Sequence, residues 1–108
     1  MLALESCPKD INDLRQHVYH ILCNYEQLEP GVFPMTERIL LRNGEPCGVY
    51  FCLHGPRSVQ YTSIWETDKN TILFYGATGE RFHKMRLTAR LALDGCQRQS
   101  PYMQPEQN

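Results

Sequence analysis

The chain has 108 residues, of which 42% are hydrophobic and 21% are charged, as in an ordinary globular domain rather than a disordered or fibrous protein. Its formal net charge of −1 argues against a general electrostatic attraction to nucleic acid or to an anionic membrane. We find no secretory signal and no segment near the ~20 apolar residues of a membrane span. We therefore expect a cytoplasmic protein without a membrane contact, whose five cysteines stay reduced.

The N-terminal segment predicts an amphipathic helix over about residues 9–28. Asp10 and Asp13 lie where the helix dipole favours negative charge, and Pro30-Gly31 ends the pattern. Apolar residues recur at spacings of three and four, which indicates one buried helical face. They are Ile11, Leu14, Val18, Ile21, Leu22, Tyr25 and Leu28.

After Pro34 the pattern changes to short runs of β-branched and aromatic residues separated by turn-forming sequences. The runs predict strands at about residues 35–42, 47–54, 58–66 and 71–76. Connections this short require antiparallel neighbours, because parallel strands need long crossovers. The expected fold class is α+β, with the helix packed on an antiparallel β-meander of four or five strands in two layers.

The segment 82–93 fits two patterns. Its apolar and basic residues alternate as in a strand, but its residue types favour a helix. The preceding ATGE fits a hairpin turn and favours a fifth strand over about residues 80–90, with a second helix as the alternative. Residues 94–108 are polar and aperiodic, so we expect a flexible, disordered tail after a single domain that spans residues 1–93.

The alternation of side chains along each strand divides the predicted sheet into two faces. We expect three-residue loops at 43–45 and 55–57, the second of which places Cys52 opposite Gln60. One face is apolar and should pack against the helix. The other face contains six candidate binding residues: Arg38, Tyr50, Cys52, His54, Gln60 and Thr62. Leu40, Ile64, Leu73 and Tyr75 also point to it, so we expect this face to be partly covered.

Catalytic and metal chemistry has little support in the sequence. Cys52 and His54 are the candidate nucleophile and base of an enzyme, but at about 6.5 Å between Cα atoms they must lean together to meet. Cys47 and Cys52 point to opposite faces of a regular strand, and no pair of cysteines has the spacing of a zinc site. We predict no metal and no cofactor.

The leading hypothesis is a non-enzymatic interaction module that uses an exposed sheet face or edge to bind a protein or to form a homodimer. The alternative is a nucleic-acid- or nucleotide-binding domain that uses the same face. Its candidate contacts to anions are the basic residues Arg42, Arg57, Lys84 and Arg86. An enzyme based on Cys52 and His54 is the third hypothesis.

Overall fold

One helix packs against a five-stranded antiparallel sheet in the computed structural model, which describes Pro8 and residues 10–88. The elements are α1 (Ile11–Glu26), β1 (Met35–Arg42), β2 (Glu45–His54), β3 (Gln60–Glu66), β4 (Thr71–Tyr75) and β5 (Arg81–Arg86). The strands lie in the sheet in chain order. This is the α+β fold that the sequence predicted.

β5 shows that the first part of the ambiguous segment is a strand. It ends at Arg86, and Leu87 is buried in the core. Leu87 and Thr88, which the expected strand included, lie beyond its observed end. Residues 89–90 of the expected strand, the expected tail at 94–108 and the expected domain boundary at 93 lie outside the described residues.

The ends of α1 have conventional caps. Asp10 has an extended backbone, and its Oδ1 accepts a hydrogen bond of 2.9 Å from the backbone N–H of Asp13, which satisfies one of the free donors of the first turn. Gln27 follows the last turn in the left-handed region, with φ of 57°. The helix therefore begins and ends within two residues of the predicted limits.

The core lies between α1 and one face of the sheet, here called the inner face. Its buried members are Ile11, Leu14, Val18, Leu22 and Cys23 of α1, Val49, Phe51, Leu53, Tyr61, Trp65, Ile72 and Phe74 of the sheet, and Leu87 after β5. Each fully buried Leu, Ile, Val or Phe side chain contributes about 2 kcal/mol. Tyr25, predicted within the buried stripe, is 47% exposed, because it lies at the edge of the stripe and stacks on Phe82.

A hydrogen-bonded link beside Trp65 joins the β3–β4 turn to the end of β5. The indole Nε1 donates to Oδ1 of Asn70 at 3.1 Å, and Asn70 Nδ2 donates to the carbonyl of Leu87 at 3.3 Å. The backbone N–H of Leu87 donates in return to the carbonyl of Asn70 at 2.9 Å. Asn70 has a φ of 53°, a conformation that asparagine tolerates better than most residues.

The first hairpin has a two-residue turn, so the expected three-residue loop at 43–45 is wrong. Asn43 and Gly44 have φ values of 54° and 80°, as a type I′ turn requires. Arg42 pairs with Glu45, and the register shifts between Leu40 and Leu41, where the β2 strand has one extra residue. Because this bulge restores the predicted alignment, the pairs from Leu40 back to Met35 keep the predicted register.

The expected loop at 55–57 is also wrong, because residues 55–59 all lie outside the ladder. The N–H of Gly55 donates to the carbonyl of Val59 at 2.8 Å, around a short 3-10 turn over Pro56–Ser58. The observed pairs are Cys52 with Thr62 and His54 with Gln60. The loop is two residues longer than expected, an even number, so every side chain remains on its predicted face.

Two polar contacts tie α1 to the edge strand β1 and to the connection that precedes it. The guanidinium of Arg15 forms paired hydrogen bonds of 2.5 and 2.9 Å to the carboxylate of Glu37. The hydroxyl of Tyr19 accepts from the N–H of Gly31 and donates to the carbonyl of Phe33, both at 2.8 Å. These contacts fix the position of the helix relative to the sheet.

We expect Arg15→Met to lower the free energy of unfolding by about 2 kcal/mol. The substitution leaves the carboxylate of Glu37, which is 9% exposed, without its guanidinium partner. The matched control is Arg42→Met, which removes an ion pair to Asp68 whose side chains are 65% and 67% exposed and should cost less than about 1 kcal/mol. Urea unfolding measures both, and equal losses would contradict the prediction.

Candidate functional site

The outer face, which we define as the sheet face opposite α1, has a central row that crosses all five strands. Successive strand pairs align its members as Arg38, Tyr50, Ile64, Leu73 and Lys84. Arg38 and Lys84 are exposed, whereas the three residues between them are half-buried. The row therefore has an apolar centre and a cation at each end.

The two neighbouring rows differ in character. On one side lie Thr36, Cys52, Thr62, Tyr75 and Arg81; on the other lie Leu40, Gly48, Glu66, Thr71 and Arg86. Each row ends on β5 in an exposed arginine. The outer face thus has cations along its β5 side and hydroxyl, thiol and apolar groups across its middle.

All six sequence-predicted binding candidates lie on the outer face. The structure places Arg38 and Tyr50 in the central row and Cys52 and Thr62 in the next, and pairs His54 with Gln60 at the end of the sheet. Their role in binding stays a prediction.

Two of the predicted anion contacts lie in the rows of the outer face, and two lie outside these rows. Lys84 and Arg86 lie on the outer face. Arg42 forms an ion pair of 3.1 Å with Asp68, and this hydrogen bond raises the pKa of Arg42. Arg57 lies in the β2–β3 loop with a φ of 56° and joins none of the rows.

Arg81 is a cation of the outer face that sequence reasoning missed. In a regular strand Arg81 would share the side of His83 and Met85, which is the inner face. The register shifts between Phe74 and Tyr75, so β5 contains one extra residue and Arg81 pairs with Tyr75 on the outer face. No feature of the sequence locates this bulge.

Arg38 and Tyr50 are in direct contact. The guanidinium carbon of Arg38 lies 5.1 Å from the centroid of the Tyr50 ring, within the range of a cation–π interaction. Burial raises the pKa of the Tyr50 hydroxyl, the neighbouring Cys52 adds to this effect, and Arg38 opposes it. The phenol is therefore a neutral hydrogen-bonding group at neutral pH.

Cys52 has the surroundings of a structural thiol. The residue is 5% exposed, and burial raises its pKa although Arg38 acts in the opposite direction. Nε2 of His54 lies 3.0 Å from Oγ1 of Thr36, so the imidazole is held toward β1. Within the described part of the chain no hydrogen bond joins His54 to Cys52, and the arrangement of a thiolate activated by a base is not formed.

The formal net charge of −1 conceals a separation of charge between the two layers. The helix layer, residues 10–29, contains Asp10, Asp13, Glu26 and Glu29 but one cation, Arg15. The three rows of the outer face contain Arg38, Arg81, Lys84 and Arg86 but one acid, Glu66. Among the described residues none of these four cations forms an ion pair.

A groove of about 400 Å³ runs along α1 on the other side of the molecule, lined by His17, His20, Ile21, Asn24, Gln27 and Leu28, among others. Nε2 of His17 is buried and has no hydrogen-bond partner in the described part of the structure. Burial lowers the pKa of His17, with His20 and His83 adding to this effect and Asp13 opposing it. His17 is therefore neutral in the folded protein at neutral pH.

No protein-family model, curated protein or solved structure matches this chain. Among residues 10–88 no helix is long and apolar enough to cross a membrane. The same part of the chain contains no group of three or more His, Cys, Asp or Glu side chains that could hold a metal ion.

We expect iodoacetamide to alkylate Cys47 faster than Cys52 at about pH 7.5, because the attacking species is an accessible thiolate. Cys47 is half-buried, whereas Cys52 is buried and has a raised pKa. Mass spectrometry of chymotryptic peptides over time measures the two rates within one sample, because cleavage after Tyr50 or Phe51 separates Cys47 from Cys52. If Cys52 reacts faster than Cys47, the outer face contains an activated thiol, and this result supports the hypothesis of an enzyme based on Cys52 and His54.

We expect the free energy of unfolding to fall as the pH falls below about 6.5, and His17→Gln to reduce this dependence. The pKa of His17 is lowered in the folded state from its ordinary value of 6.5. Below that value the unfolded chain binds a proton that the folded chain does not, until the pH reaches the folded-state pKa.

Urea unfolding between about pH 7.5 and pH 5 measures this effect, since stability must rise with pH wherever the unfolded state binds more protons. His54→Gln, on the opposite side of the sheet, is the control. An unchanged pH dependence in His17→Gln would contradict the prediction.

Proposed function

We propose that the chain is a cytoplasmic, non-enzymatic interaction module that binds a protein partner through the outer face. The observation that carries this proposal is the apolar centre of the central row. Tyr50, Ile64 and Leu73 lie side by side on three adjacent strands, on the face that α1 does not cover.

The residues that surround this apolar centre also support the proposal. An antiparallel sheet can expose one face to water, but the side chains on the exposed face are then polar. Here Leu40 and Tyr75 extend the half-buried apolar surface into the neighbouring rows. Protein interfaces combine an apolar and aromatic centre with a charged and polar rim, which is the arrangement of the central row.

The chemistry of the same face favours binding over catalysis. The thiol of Cys52 is buried with a raised pKa, and the imidazole of His54 contacts Thr36. The remaining polar groups are hydroxyls, an amide, cations and the carboxylate of Glu66, which recognise a partner without forming a covalent bond to it.

β1 is an edge strand with no further strand paired to it in the described part of the chain, and this edge supports a second candidate, a homodimer that pairs β1 with its copy. The N–H of His54 donates to the carbonyl of Pro34 at 2.9 Å, and ladder bonds alternate along an antiparallel pair. The backbone groups of Met35, Glu37 and Ile39 therefore point away from β2. Leu41 on the same strand is 63% exposed, whereas β5, the opposite edge, is protected by Arg81, Lys84 and Arg86.

We expect Ile64→Glu to abolish capture of the protein partner, because the substitution places a charge in the apolar centre, while Val32→Glu should have no effect. Val32 is 56% exposed and lies in the α1–β1 connection, away from the outer face. Quantitative mass spectrometry of proteins captured by wild type and both variants is the measurement. Circular dichroism tests whether both variants fold.

The outcomes separate the two candidates. Loss of specific partners in Ile64→Glu alone supports the outer face, and identical capture by all three proteins contradicts it. For the homodimer, light scattering is the measurement. A dimer that Leu41→Lys converts to a monomer supports pairing through β1, and a monomeric wild type at all concentrations rejects it.

A further inference from the structure

We propose that the outer face binds an acidic amphipathic segment of another protein, with carboxylates on both sides of a short apolar stretch. This inference rests on the proposed function and adds the chemistry of the partner. It starts from the four cations of the outer face, Arg38, Arg81, Lys84 and Arg86, which are exposed and have no ion-pair partner among the described residues.

The sign of the partner's charge follows from charge complementarity, which steers association and rejects partners of like charge. Four cations and one acid give the three rows of the outer face a formal charge of +3. A second copy docked face to face would place these cations against one another. The occupant should therefore be a different, acidic molecule.

The arrangement of the partner's charges follows from the geometry of the central row. Arg38 on β1 and Lys84 on β5 are separated by four strand-to-strand steps, or about 19 Å at ~4.8 Å per step. Tyr50, Ile64 and Leu73 occupy the space between them. A complementary segment has acidic groups at its two ends and apolar side chains in the middle.

The centre of the row favours a peptide over single-stranded nucleic acid. Nucleic-acid platforms stack bases on exposed aromatic rings, but the Tyr50 ring is already in contact with the guanidinium of Arg38. Ile64 and Leu73 are aliphatic and offer no stacking surface. Their half-buried side chains match the apolar face of a peptide.

Four fluorescently labelled probes test the proposal with the full chain by fluorescence anisotropy. They are the acetylated and amidated peptides EEELAALLAALEEE, KKKLAALLAALKKK and EEESGGSSGGSEEE, and a single-stranded oligothymidine of equal length. We expect the first peptide alone to bind well, with its affinity falling as salt screens the exposed charges. Amide chemical-shift changes should concentrate at Tyr50, Ile64 and Leu73.

The double variant Arg38→Glu/Lys84→Glu should weaken binding of the acidic amphipathic peptide about tenfold, which corresponds to ~1.4 kcal/mol. Each exposed charge pair that the variant removes contributes a fraction of this free energy. The matched control is Lys69→Glu, an exposed lysine in the β3–β4 turn outside the three rows. It reverses a charge of the same sign and should leave the affinity within about twofold.

The remaining outcomes overturn the inference in distinguishable ways. If the acidic and basic amphipathic peptides bind the outer face equally, the face is a docking surface without preference for acid, and the proposed function survives. If oligothymidine binds more tightly than the acidic peptide, the occupant is nucleic acid. If no probe binds the outer face, the acidic segment is rejected, and partner capture by Ile64→Glu decides the proposed function separately.

Discussion

The burial of one helical stripe against one face of the sheet is the interaction on which the rest of this structure depends. α1 supplies Leu14, Val18 and Leu22, all fully buried, and the sheet supplies Phe51 and Trp65 at its centre. A single helix can cover only one face of a five-stranded sheet. The outer face is therefore left uncovered by α1. A two-layer fold does not by itself explain why the centre of this face is apolar and half-buried.

The division of the sheet into two faces could be predicted because side chains alternate with a period of two. Both predicted hairpin loops were wrong in length, yet neither error moved a side chain to the other face. At Asn43-Gly44 a bulge in β2 compensated for the shorter turn, and the β2–β3 loop exceeded its predicted length by two residues. The six candidate residues were therefore assigned to the correct face. The predicted register between β2 and β3 was wrong.

Features that depend on contacts distant in sequence could not be predicted. The bulge in β5 places Arg81 on the outer face, and no residue type marks it. Cys52 is almost completely buried on the face opposite the core, where its partners Thr36 and Thr62 belong to the two flanking strands. Tyr25 fits the helical period, but its stacking on Phe82 joins residues far apart in the chain. In each case tertiary packing overrides a regular local pattern.

The separation of charge between the helix layer and the outer face makes the domain an electric dipole directed across the sheet. A sequence pI of about 6.4 describes only the sum of the charges, whereas an approaching molecule encounters one side at a time. In the field of another charged body the domain turns until its layer of opposite sign faces it, which shortens the search for a productive orientation. Near neutral pH it should therefore adhere to both cation and anion exchangers, through opposite sides.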